Sequence, residues 1–129
     1  MITFLEMLNL LEGFDVTSTG KPRVDAIIKD PKKYNATVTV LNLSPERVQV
    51  LMAKAQGTDA KRAIKRREAM PGFRAKIDNL KKLMQQGVKF NVPFIEVSSG
   101  GGIQDGYHRT IAAQELNIKK IPFVTVKRK

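Results

Sequence analysis

Ala36-Thr37-Val38-Thr39-Val40-Leu41-Asn42-Leu43 alternates apolar and polar positions and is rich in β-branched residues, which predicts a strand. Val92-Pro93-Phe94-Ile95-Glu96-Val97 and Ile121-Pro122-Phe123-Val124-Thr125-Val126 predict two more. Between the first and second strands the period changes to that of helices. Ser44-Pro45-Glu46 opens one with a capping Ser, Pro at the first position and an acid in the first turn. It runs to about Gln56, where Gly57 stops it, and it aligns Val48, Leu51, Met52 and Ala55. Thr58 or Asp59 caps a second helix reaching about Ala69. After the Pro71-Gly72 break a third helix covers about 73–86, burying Phe73, Ile77, Leu80, Leu83 and Met84, with Gly87 as its stop.

The ends of the chain read less regularly. Thr3 and Glu6 make a capping-box pattern and Gly13 a stop, so residues 3–12 predict a buried or partner-packed helix. That stretch lacks a basic leader and a small-residue cleavage site, and Glu6, Asn9 and Glu12 interrupt it, which argues against both a signal peptide and a membrane span. Residues 15–35 read as loop, with a short helix near Val24–Lys29. Ser98-Ser99-Gly100-Gly101-Gly102 reads as a hairpin tip, Ile103-Gln104 as the return strand, and about 108–116 as a last helix with Asn117 near its end. Lys127-Arg128-Lys129 reads as a basic tail. The order is helix, strand, three helices, hairpin, helix, strand. It predicts an α+β or mixed α/β domain with a small sheet of about four strands over residues 36–129, and an N-terminal extension over 1–35.

Composition narrows the chemistry. Apolar residues make up 42% of 129, enough to exclude disorder over most of the chain and to fill one core. There is no cysteine, so disulfides, thiolate metal sites and cysteine nucleophiles are excluded, in keeping with a cytoplasmic protein. Lys plus Arg is 23 against 12 acids, a formal net charge of +11 that calls for a polyanionic partner, nucleic acid first. Ten of these cations lie between Lys54 and Lys82, diluted by only Asp59, Glu68 and Asp78. Lys61/Lys65 and Arg62/Arg66 repeat at i, i+4, so each pair shares a helix face; Arg67 and Arg74 extend the set. With no Trp and two Tyr, stacking on single-stranded bases is weakly signalled, and contact with a phosphate backbone fits better. A solvated face is the plainer reading of the same charges.

The densest chemistry is Ile103-Gln104-Asp105-Gly106-Tyr107-His108-Arg109-Thr110-Ile111-Ala112-Ala113, a strand, a glycine turn and the first turns of a helix. Such a turn gathers backbone N–H groups and the positive end of a helix dipole, which attract phosphate. Gly106 allows close backbone approach, Tyr107 follows it, and His108 can donate a hydrogen bond or move a proton near neutral pH. Arg109 can grip phosphate with two N–H groups, and Thr110 can cap, donate or contact a metal. Asp105 is the one acid in the stretch and could hold a divalent cation together with phosphate oxygens. Against this stand plain structural roles: Asp105 as a turn residue or cap, Arg109 paired with Glu115 or Asp105, and a structural histidine.

Asp105-Gly106-Tyr107-His108-Arg109-Thr110, the Ala-rich helix after it and Ile121-Pro122-Phe123-Val124 resemble the ParB/sulfiredoxin superfamily. Leu43-Ser44-Pro45-Glu46 and Gly87 to Val97 resemble its upstream pieces, so the likeness covers about residues 36–126. The resemblance implies a small mixed sheet with flanking helices in which the glycine turn binds nucleotide or DNA phosphates. Members of that superfamily bind and hydrolyse CTP, use ATP, or act as nucleases. Here the sulfiredoxin cysteine position is Tyr107, which excludes sulfinic-acid reduction. His108-Arg109 stands where partition proteins tend to carry Arg-Arg, and no DNA-reading segment follows the last strand, so centromere reading is not expected. The resemblance points to a stand-alone domain of the kind found on phages and plasmids.

Three functions fit these residues. One is a nuclease or nucleotide hydrolase working with Mg²⁺ and ATP or CTP, in which Asp105 holds the metal, His108 is the general acid or base and Arg109 stabilises phosphoryl charge. The second is a non-catalytic DNA-binding module using the basic helices. The third is an interaction protein that captures an acidic host surface, or a homo-oligomer joined through the N-terminal helix.

Overall fold

A computed structural model describes residues 14–98 and 101–128 of the chain. Its elements run in the order β1 (Phe14–Asp15), α1 (Pro22–Lys29), a 3-10 turn (Lys32–Tyr34), β2 (Ala36–Leu43), α2 (Pro45–Ala55), α3 (Ala60–Glu68), α4 (Phe73–Gln85), β3 (Phe90–Asn91), β4 (Phe94–Ser98), β5 (Gly101–Asp105), α5 (Tyr107–Glu115) and β6 (Ile121–Arg128). The result is an α+β fold with five helices around a four-stranded mixed sheet of order β2-β6-β4-β5; β1 and β3 form a separate parallel pair. β6 pairs antiparallel with β2 and parallel with β4, and β4 pairs antiparallel with β5. Among the described residues no helix is long and apolar enough to cross a membrane.

Alternation along the strands divides the core into two layers. Val38 and Val40 of β2, Phe94 of β4, and Val124 and Val126 of β6 turn to one face, where Val24 and Ile27 of α1 cover them together with Val16 and Val92. Leu41, Leu43, Ile95, Ile121 and Phe123 turn to the other, against Val48, Met52 and Ala53 of α2 and Tyr107 and Ala113 of α5. Each fully buried Val, Ile or Phe is worth about 1.5–3 kcal/mol, so both layers are needed to hold the sheet. A third cluster joins α4 to α5 through Ile77, Ile111 and Ala112. Residues 14–35, set apart by sequence as an extension, supply Val16, Val24 and Ile27 to the first of these core layers.

The predicted starts hold. Ser44 Oγ accepts from the Arg47 N–H at 3.2 Å, and Asp59 Oδ1, rather than Thr58, accepts from the Arg62 N–H at 2.9 Å. Three details differ. α1 begins at Pro22, because Pro fits the first helical position. On α2 the buried face includes Gln49 and Ala53 while Ala55 is exposed; Gln49 is tolerated inside because its Nε2 donates to Gln114 Oε1 on α5 at 3.0 Å. Lys127 and Arg128 are not a tail but the end of β6, paired with Thr37 and Ala36. The expected helix over 3–12, with Thr3, Glu6 and Gly13, lies outside the described residues, as do Ser99 and Gly100 of the hairpin tip and Lys129.

Candidate phosphate-binding site

β5 delivers the chain to the first turn of α5 beside Pro93, and this contact fixes the glycine. Gly106 has φ +123°, and a Cβ there would lie 2.7 Å from Pro93 Cβ and 2.9 Å from Pro93 Cα. Conformation and space both require glycine. Gly106 is the N-cap of α5 and supplies no side chain to the helix end, so Asp105 is not the cap. The first N–H groups of an α-helix have no partner within it, and α5 presents them here.

The side chains of this turn separate in three directions. Tyr107 points inward, 2% exposed, with its ring in the core cluster and its hydroxyl buried without a hydrogen-bond partner among the described residues. Burial pushes its pKa up, and the Arg67 guanidinium, 3.9 Å over the ring, opposes that shift. Thr110 is fully buried, and its hydroxyl donates to the Tyr107 carbonyl at 2.7 Å. The Thr110 hydroxyl therefore faces its own helix rather than a ligand at the turn, and Tyr107 can offer phosphate only its backbone N–H.

His108 and Arg109, adjacent in sequence, do not act on one point. The Arg109 side chain is 14% exposed; its Nη1 donates to the Asn91 carbonyl at 2.5 Å and its Nη2 lies 3.6 Å from Asp105 Oδ2. It ties the end of β3 to α5. Burial lowers its pKa, and Asp105 opposes the shift. Of the two pairings foreseen for Arg109, Asp105 is made and Glu115 is not. Glu115 is held instead by Arg74, at 2.6 and 3.1 Å, and by Lys81 at 3.2 Å. His108 turns toward α4, its ring 5.8 Å from that of Phe73. Burial depresses its pKa first, then the charges of Lys76 and Arg67, with Asp105 opposing and Arg109 adding to the depression. The imidazole is therefore neutral at pH 7, among cations from three helices.

Carboxylates do not converge on the turn. Glu96 is buried on the α1 face of the sheet, where Arg23 grips both its oxygens at 2.5 and 2.8 Å. Among the described residues no three His, Asp or Glu side chains come together. Asp105 alone could ligate a magnesium ion, and one carboxylate suffices only for an ion that arrives on phosphate oxygens.

The basic set is also sorted by structure. Lys61, Lys65 and Arg66 are exposed on α3 and make no ion pair among the described residues. Among the described residues Arg62 pairs only with its neighbour Asp59, at 3.4 Å with both side chains mostly exposed, a contact worth little. Arg67 is turned in, donating to the Ala63 carbonyl at 3.0 Å and covering Tyr107. Arg74 is committed to Glu115 and Asp78, so it braces α4 rather than offering a free cation. Sequence reasoning missed Lys76 and Phe73 as neighbours of His108, and Asn91 and Pro93 as the supports of Arg109 and Gly106. No local pattern marks them, since each meets the turn only through tertiary packing.

Compared with protein-family models, curated proteins and solved structures, the chain matches none.

Proposed function

We propose that this chain binds phosphate groups of a nucleic acid or nucleotide at the start of α5, as its resemblance to the ParB/sulfiredoxin superfamily implies. The observation that carries this reading is the first turn of α5, where Gly106 leaves the helix N–H groups without a side-chain cap and the His108 ring stands 5.8 Å from that of Phe73 on α4; the charges of Lys76 and Arg67 act on the imidazole there, with Asp105 opposing. A phosphate there would meet the N–H groups of the helix end and relieve repulsion among the cations. His108 donates a hydrogen bond to the anion, and the charge of Lys76 favours it, while Arg67 stays engaged with the Ala63 carbonyl and the Tyr107 ring. Arg109, largely buried, is a positioning residue that holds the turn against β3.

A catalytic version adds one step: neutral His108 takes a proton from the water that attacks phosphorus and returns it to the leaving oxygen as the P–O bond to that oxygen breaks. Mg²⁺ carried in by ATP or CTP, with Asp105 as its protein ligand, would neutralise phosphate charge. Without that step the same contacts make a binding module.

The chain has one histidine, so its imidazole resonance reports this site alone. Inorganic phosphate, ATP, CTP and a short DNA duplex, each with and without Mg²⁺, should shift that resonance saturably and raise the His108 pKa. Product analysis then separates hydrolase from binder, with turnover lost in His108→Ala. An imidazole indifferent to all four ligands would refute the reading.

A further inference from the structure

α2 and α3 are joined by four residues, Gln56 to Asp59, and the turn is made possible by Gly57 at φ +75°. The Gly57 N–H donates to the Lys54 carbonyl and the Thr58 N–H to the Ala53 carbonyl, both at 3.0 Å, which closes α2 before α3 starts. α2 is anchored in the core by Val48, Met52 and Ala53. α3 is held mainly by Ala63, with Ala60 and Ile64 half-buried, and most of its remaining circumference carries cations. Two recesses of about 340 and 410 Å³ flank Lys65, the first lined also by Arg62, Arg66 and Ala69, the second by Lys61, Ile64 and Glu68. Two helices, a short turn containing glycine, the first buried and the second exposed, are the parts of a helix-turn-helix reader.

We infer that α3 is a recognition helix that docks in the major groove of double-stranded DNA. The inference rests on the reading that a nucleic acid carries the phosphates bound by this chain, and it names the form. A helix with its side chains is about 10–12 Å across, and the B-form major groove is about 12 Å wide. Nine residues give α3 a length of roughly 13 Å, enough to lie within one groove. Lys61 and Lys65 share one face and Arg62 and Arg66 the next, so one pair can meet phosphates while the other reaches inward, where arginine pairs with guanine edges. Charge complementarity selects the occupant, because Lys61, Lys65 and Arg66 have no carboxylate partner among the described residues and the chain carries a net charge of +11.

Duplex RNA separates groove docking from simple charge attraction, since its major groove is too deep and narrow for side chains to read. Fluorescence anisotropy of the full chain would be measured with a labelled 20-base-pair DNA duplex, the RNA duplex of the same sequence, and one DNA strand, between about 50 and 200 mM salt. DNA duplex should bind about tenfold or more tighter than RNA duplex. Lys65→Ala/Arg66→Ala should weaken duplex binding about tenfold and reduce the salt slope by about two. The charge-matched control Lys32→Ala/Lys33→Ala, in the 3-10 turn, should stay within about twofold. Circular dichroism confirms that each variant is folded. Equal affinity for the two duplexes, tighter binding of the single strand, or equal loss in the two double variants would overturn groove docking and leave phosphate binding standing. Binding to none of the probes, together with an imidazole unmoved by phosphate, would remove both.

Discussion

The start of α5 and the outer face of α3 carry the same kinds of residue and use them in opposite ways. At α5, Arg109 is spent on Asn91 and Asp105, Thr110 on its own helix, and Arg67 arrives to cover Tyr107. On α3, Lys61, Lys65 and Arg66 have no such engagement among the described residues. A motif that reads as dense chemistry is thus partly a motif of packing, in which His108 and the backbone remain for a ligand. A charge run that reads as a solvated face holds the larger share of free cations. The two regions should therefore respond oppositely to substitution: stability should fall first at α5, and binding first at α3.

The hardest break of that comparison is Gly106→Ala. Its Cβ would enter Pro93, backbone included, at a φ that L-residues avoid. Strain and overpacking together should remove about 3 kcal/mol, read as a lower midpoint in urea denaturation. A variant as stable as the parent would mean that the turn can move away from Pro93.

Those two regions also differ in how far the sequence reveals them. Helix starts at Ser44 and Asp59 and the strand at 36–43 follow from local rules, because capping and alternation involve residues a few positions apart. The glycine turn is legible for the same reason. What a residue does once placed there is not: Arg109 meets a carbonyl 18 positions away, and Arg74 a carboxylate 41 positions away. The parallel pairing of Phe14 with Phe90 has no local signature either, since two residues are too few to show a period. The basic ladder on α3 is legible as charge, whereas it took the fold to show that, among the described residues, Lys61, Lys65 and Arg66 make no ion pair while Arg62 pairs with Asp59.

Arg109→Ala comes next in size. It strips a donor from the Asn91 carbonyl and a cation from Asp105, and should destabilise by about 1–2 kcal/mol. Lys65→Ala, made in parallel, should stay within about 0.5 kcal/mol. Thermal unfolding of the two variants measures the contrast directly; equal losses would erase the difference drawn between the two regions.

Arg67 links them, reaching from α3 over the Tyr107 ring. Removing it as Arg67→Ala should weaken the fold by about 0.5–1 kcal/mol and raise the His108 pKa toward its ordinary value near 6.5. The folded chain holds the His108 proton less tightly than the unfolded chain does. Stability is therefore unaffected by this group above about pH 6.5 and declines as the pH falls through the depressed folded value. That acid-side loss should be smaller in Arg67→Ala, as read from imidazole titration alongside urea melts at several pH values. An unchanged titration would mean that burial and Lys76 account for the depression without Arg67.

The smallest expected effect separates the two regions most cleanly. Lys61→Ala/Lys65→Ala removes two like charges four residues apart on one helix face, where their repulsion opposes the helix by a few tenths of a kcal/mol. Alanine also favours the helix more than lysine does. With no ion pair to lose among the described residues, the double variant should be as stable as the parent or more so by about 0.5 kcal/mol. A gain in melting temperature joined to weaker duplex binding would mean that these charges are kept against the interest of the fold, as expected of a surface shaped by a partner. A loss of stability would reveal a structural role for Lys61 or Lys65 and return α3 to the same class as the start of α5.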